Sequence, residues 1–134
     1  MVPNSDERQF VVLQGVRYVV VKESRIRNHL FEKLLPEWGK EAFNEELPDM
    51  EGWNWRVENV KISDIRVWDI LMQDADFISE LENRIAIQKG RISRGDNIEP
   101  IVVRGRDMVI YDGYARLHAL KQLGKAEVLA YVGR

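Results

Sequence analysis

The sequence contains no cysteine, so disulfides, cysteine-ligated zinc and thiol catalysis are all excluded. Histidine is nearly as scarce. Only His29 and His118 occur, far apart along the chain, and no zinc site or other metal centre is expected from them. No apolar run approaches the roughly 20 residues needed to span a bilayer, and the N-terminus has no apolar signal core. The expectation is a cytoplasmic protein with no membrane partner. Repeats and low-complexity segments are also absent.

What is present is ordinary in bulk and uneven in distribution. The 134 residues, 45% hydrophobic and 31% charged, suffice for one globular domain with a real core. The net charge of −2 hides an asymmetry: residues 1–83 carry 10 Lys/Arg against 17 Asp/Glu, whereas residues 84–134 carry 10 against 5. A basic C-terminal part is suited to an anionic ligand. The competing reading is that oppositely charged halves pack together or keep the chain soluble.

The chain divides into residues 1–56, read as an N-terminal extension, and residues 57–134, read as a regular α+β unit. In the extension, Phe10 to Leu13 and Val16 to Val21 flank Gln14-Gly15, the pattern of a β-hairpin. Ser24 is placed to cap a helix with Ile26, Leu30, Phe31, Leu34 and Leu35 on one face, ending at Pro36. The acid-rich stretch Glu37 to Asn54 reads as an irregular connection pinned by Trp38, Trp53 and Trp55. A base-stacking role for these rings would need basic surroundings, which this stretch lacks.

From Val57 the pattern becomes regular. Val57, Val60, Ile62 and Ile65 suggest a strand and its exit. Asp74 or Asp76 is placed to cap a helix bearing Phe77 or Ile78, Leu81 and Ile85, with Gly90 just past its end. After a polar loop from Arg91 to Glu99, Pro100 introduces the strand Ile101-Val102-Val103, Gly105 turns the chain, and Met108 to Tyr111 forms a second strand. Asp112-Gly113 breaks that strand, Arg116 to Leu123 reads as a short helix stopped by Gly124, and Glu127 to Val132 is a last strand.

A strand feeding a glycine turn and then a helix aims free backbone N–H groups and the positive end of a helix dipole at one point. Arg116, in the first turn, adds a planar fork suited to phosphate. Asp112, Gly113, Tyr114, Ala115 and Arg116 are therefore the candidate phosphate-binding residues. Other residues invite functional readings beside plainer ones. Arg104 and Arg106 flank a turn, Lys22, Arg25 and Arg27 cluster near a helix start, His118 lies early in the last helix, and Arg94-Gly95-Asp96 spells an adhesion tripeptide by chance.

The order Val60-Lys61-Ile62-Ser63-Asp64-Ile65, a helix ending at Gly90, Pro100-Ile101-Val102-Val103-Arg104, and Ile110-Tyr111-Asp112-Gly113-Tyr114-Ala115-Arg116 running on to Leu123-Gly124 resembles the ParB/sulfiredoxin superfamily. The resemblance covers residues from about 57 to the end; residues 1–56 match no known pattern. It implies a mixed sheet with flanking helices, a ParB-like N-terminal domain, and binding of ATP, ADP or CTP with Mg²⁺ at the glycine turn. On that pattern the N–H groups of Gly113 to Ala115 meet phosphates, Arg116 pairs with them, and Asp112 holds the turn or a phosphate-bridging metal.

The sequence departs from the pattern in three places. The family generally has a histidine or basic residue between the glycine and the arginine, where this chain has Tyr114-Ala115. Without cysteine the sulfiredoxin reaction is excluded. The chain ends at Arg134 with no helix-turn-helix, so centromere-type DNA recognition is not expected. The resemblance to the serine-kinase branch implies a carboxylate base, for which Asp69 is the candidate, with Asp74 and Asp76 just beyond. The readings in play are a nucleotide-binding domain with phosphotransferase or nucleotidase activity, a DNA-binding or nuclease module, and a non-catalytic interaction domain with a decayed nucleotide turn. A homodimer is compatible with each.

Overall fold

The computed structural model describes residues 8–68 and 73–134. The fold is α+β, built on a four-stranded mixed sheet and a separate two-stranded hairpin. Strands β1 (Gln9–Leu13) and β2 (Val16–Val20) form the hairpin. Its turn residues Gln14 and Gly15 both have positive φ, 51° and 78°, the left-handed pairing that matches the twist of adjoining strands. The Gln14 side chain reaches across the fold, its Oε1 accepting from the N–H groups of Ala126 (3.0 Å) and Glu127 (3.2 Å).

A 3₁₀ turn at Glu23–Arg25 leads into helix α1 (Ile26–Trp38), whose Ile26, Leu30 and Leu34 recur at the helical period and are buried. The expected stop at Pro36 is not where the helix ends. Proline in a last turn removes one ladder hydrogen bond, and the actual terminator is Gly39, whose φ of +81° breaks the helical path. The stretch expected to be irregular, Glu37 to Asn54, instead forms helix α2 (Lys40–Met50). Its many acids hid an apolar stripe of Phe43, Leu47 and Met50, and glutamate is itself a good helix former. Trp38, Trp53 and Trp55 do pin this region to the body: Trp38 meets Tyr111 edge-on at 5.4 Å, and Trp53 packs on Trp55 and Tyr111 at 5.7 and 5.9 Å.

Strand β3 (Trp55–Lys61) opens the main sheet, and helix α3 (Ala75–Ser93) follows, capped by Asp74, whose carboxylate accepts from the Phe77 N–H at 3.0 Å. Helix α3 runs through Gly90, where a stop was expected, and ends at Ser93. Gly90 lies in a helix whose flanking Lys89, Arg91 and Ile92 continue the ladder, so its small propensity cost is absorbed. Strands β4 (Ile101–Arg104) and β5 (Val109–Asp112), helix α4 (Tyr114–Gln122) and strand β6 (Glu127–Gly133) complete the chain. Helix α4 starts two residues earlier than the apolar pattern suggested, directly at the glycine turn.

The sheet order is β3-β6-β4-β5, with β6 antiparallel to β3 and parallel to β4, and β4 antiparallel to β5. Both halves of the chain feed one core. Tyr131 of β6 is 1% exposed and its hydroxyl accepts the Val21 N–H at 3.0 Å, joining the hairpin exit to the central strand. A smaller apolar cluster, Leu81, Ile85 and Ala119, holds α3 against α4. Among the described residues no helix is long and apolar enough to cross a membrane.

Candidate functional site

Strand β5 delivers Asp112 to the sheet's edge, and Gly113 then turns the chain with φ +101° and ψ 26° to become the N-cap of α4. The first helical hydrogen bond runs from the Leu117 N–H to the Gly113 carbonyl at 2.9 Å. The N–H groups of Tyr114, Ala115 and Arg116 therefore lie outside the helical ladder, at the positive end of the helix. Glycine is required here on two grounds. Its φ is one that side chains rarely adopt, and a Cβ would stand 2.7 Å from Ile101 Cγ2 and 2.8 Å from Arg116 Nη2.

That second distance shows how Arg116 lies: its guanidinium folds back over the turn. Nη2 donates to Asp112 Oδ2 at 3.1 Å and to the Pro100 carbonyl at 3.4 Å, while Nε, buried, has no acceptor among the described residues. The fork is thus held in place yet only partly satisfied. Asp112, Gly113, Tyr114, Ala115 and Arg116 all line one cleft of about 370 Å³, whose opposite wall is α3 through Phe77, Leu81 and Gln88. Phe77 and Tyr114 meet edge-on at 5.6 Å across this junction. At the cleft's rim, Glu80 and Arg84 form an exposed i,i+4 ion pair.

Helix α1 supplies a polar stripe that the sequence reading did not single out. His29, Lys33 and Glu37 recur every fourth residue, so they share one face beside the buried Leu30 and Leu34. Lys33 Nζ is 2.6 Å from Glu99 Oε2 and 3.5 Å from Asp112 Oδ2, and His29 Nε2 is 3.1 Å from Glu99 Oε1. The i,i+4 spacing of charged residues beside an apolar stripe was the available signal. It went unread because the partners, Glu99 and Asp112, are remote in sequence.

The ionisation of the cluster follows from these contacts. Burial, together with the hydrogen bond and repulsion from Asp112, pushes the Glu37 carboxyl up to about 7. Burial works in the same direction on Asp112, but Arg116 and Lys33 overcome it and hold that carboxyl below its ordinary value. The hydrogen bond from His29, assisted by Lys33, keeps Glu99 well below the usual carboxylate range against its partial burial. At neutral pH the site therefore holds ionised Asp112 and Glu99 beside Lys33 and Arg116, with Glu37 the carboxyl of the cluster most inclined to keep its proton.

The remaining residues singled out from the sequence lie elsewhere. Asp69 lies outside the described residues. Asp74 caps α3, and Asp76 is exposed in its first turn. Arg104 is committed to Asp107 through two hydrogen bonds of 2.8 and 2.7 Å and lies over the Tyr111 ring. Arg27 lies over Phe31 at 5.2 Å. Arg94 pairs with Asp96 in an exposed turn. His118 is half-buried with its Nε2 unpartnered among the described residues, and burial beside Lys121 lowers its basicity.

As to metal, no group of three or more His, Asp or Glu side chains among the described residues could form a cage. Asp112, the one carboxylate of the turn, is already engaged by Arg116 and Lys33. A Mg²⁺ ion fits this site only as an ion carried mainly by a ligand's phosphates.

The chain is an α+β domain with a glycine turn at a helix N-terminus. No family model matches the sequence, and no curated protein matches it. Among solved structures, the chain is similar to a Pnob8-like ParB-N domain, at TM-score 0.47 and 23% identity, over 60% of this chain and 30% of that one. It is also similar to a pNOB8-like ParB N-domain, at TM-score 0.41 and 26% identity, over 60% of this chain and 28% of that one. The likeness is to a ParB-like N-terminal domain, the same type that the motif order of residues 57–134 resembles. This chain spans less than a third of the length of either neighbour.

Proposed function

We propose that this chain is a nucleotide-binding domain that takes the phosphates of ATP, ADP or CTP in the cleft between α3 and α4. The observation that supports this reading is the arrangement at Gly113: a left-handed N-cap opens the α4 N–H groups toward a cleft of about 370 Å³, with the Arg116 fork folded over the same turn. A cleft of that size lies within the range of small-molecule sites. Lys33 adds a second positive charge beside Asp112, in a site whose turn carries Tyr114-Ala115 where a basic residue was expected. Asp112 acts here as an anchor. Its carboxylate holds Arg116 and Lys33 until a stronger anion competes for them.

Binding is the function this geometry supports; Mg²⁺, if it takes part, travels with the phosphates. Phosphoryl transfer would further require a base near an acceptor hydroxyl, and Glu37, its carboxyl raised to about 7 by burial and by Asp112, lines the cleft where such a base would stand. Helices α1 and α2 are acidic, so a DNA-binding alternative would have to use the basic residues 84–134 instead.

The test is a thermal-shift and calorimetric screen against ATP, ADP, CTP and GTP, each with and without Mg²⁺. At least one nucleotide is expected to raise the melting temperature in wild type and to lose that effect in Arg116→Ala. No shift with any of them overturns the proposal.

A further inference from the structure

Tyr114 also lines a second cavity, of about 310 Å³, whose walls include Trp38, Trp68, Tyr111, Glu45 and Glu46. Four aromatic rings and two carboxylates around one small space form an unusual combination. The Tyr111 hydroxyl donates to Glu46 Oε2 at 3.0 Å, but among the described residues neither Glu45 nor Glu46 has a cation within ion-pair distance. The nearby positive charge, Arg104, is already answered by Asp107 at 2.7 Å. Residues 37–51 hold six acids and one lysine, so the surrounding field is negative as well. The fold already displays the relevant contact: the Arg104 guanidinium carbon lies 5.6 Å from the Tyr111 ring centroid.

We infer that this pocket binds a small alkylammonium cation, a quaternary amine of about the size of choline. Its methyl groups would rest on the indole and phenol rings, and its charge would answer the two carboxylates. A phosphate-bearing group is disfavoured there by charge, and a neutral apolar group would leave both acids unanswered. The volume is at the small end of ligand sites, which selects a compact ligand. This pocket shares only Tyr114 with the phosphate cleft, and binding at either is read independently of the other.

The experiment compares choline with its neutral isostere 3,3-dimethylbutan-1-ol, on the full chain at matched ionic strength, by calorimetry and by tryptophan fluorescence. Choline is expected to bind saturably and roughly tenfold or more tighter than the isostere. Trp68→Ala and the double variant Glu45→Gln/Glu46→Gln should each weaken it roughly tenfold. Trp68 is 44% exposed and Glu45 is exposed, and glutamine at the half-buried Glu46 keeps an oxygen to accept the Tyr111 hydroxyl, so neither change opens the core, and the wild-type comparison stands without them. Equal affinity for the isostere, no saturable choline binding, or unchanged affinity in both variants overturns the inference. A trimethyllysine peptide that binds where choline does not would overturn the small-molecule occupant.

Discussion

Lys33 Nζ on helix α1 stands 3.5 Å from Asp112 Oδ2 at the head of the glycine turn. The contact joins the N-terminal third of the chain to the candidate phosphate site, and Arg116 approaches the same carboxylate oxygen at 3.1 Å. One carboxylate therefore holds two cations at the mouth of a helix. Because these side chains are 13–21% exposed, the pairings are only weakly screened by solvent.

Removing the shared anion should be costly and conditionally reversible. Asp112→Ala leaves Arg116 and Lys33 without their carboxylate and is expected to lower unfolding stability by about 3 kcal/mol. Inorganic phosphate should then stabilise the variant more than it stabilises wild type, since it supplies the missing negative charge. Urea unfolding with and without phosphate measures both effects. A variant as stable as wild type contradicts the structural role given to Asp112.

Gly113→Ala tests the turn itself. The added methyl would meet Ile101 and the Arg116 guanidinium at under 3 Å while the backbone is held at φ +101°. A loss of about 2 kcal/mol is expected, with weaker nucleotide binding, because displacing Arg116 disorders the fork. Denaturant midpoints and calorimetry report the two separately. An unchanged midpoint would show that the left-handed cap is not needed.

Ligand binding at the cleft should depend on pH through Glu37. Its folded value is raised to about 7 from 4.5, so its contribution to stability is complete below about 4.5 and is lost as pH rises through about 7. Over the same window it becomes a negative charge lining the cleft, and affinity for phosphate should fall. Glu37→Gln should flatten that decline between pH 6 and 8, read by calorimetry in buffers of matched ionic strength. Asp112 and Glu99 act in the opposite sense: their values are lowered, so the stability they contribute is present at neutral pH and lost in acid.

The docking of the hairpin onto the sheet rests partly on one buried hydrogen bond. Tyr131→Phe deletes the hydroxyl that accepts the Val21 N–H at 3.0 Å and leaves that donor unsatisfied. About 1–3 kcal/mol of stability should be lost. Amide exchange at Val21 should accelerate, and protection equal to wild type would count against the contact.

The amino-acid order alone determined those features that depend on near neighbours. The hairpin at Gln14-Gly15, a capping aspartate at Asp74 or Asp76, the Ile101–Val103 strand and the glycine turn at Asp112-Gly113 each follow from period, turn chemistry or capping within a few residues. Helix α2 escaped that reading because its abundant acids masked the stripe of Phe43, Leu47 and Met50, which is stabilised by burial against the rest of the fold. Helices α1 and α3 ran past Pro36 and Gly90 for a related reason: tertiary packing outweighs a local breaker. Only the tertiary structure decided that Arg116 folds back onto Asp112, and that Lys33, Glu37 and Glu99 gather around it. Charges separated by 66 residues and more interact through space, and their partners are set by where the sheet places the strands that carry them.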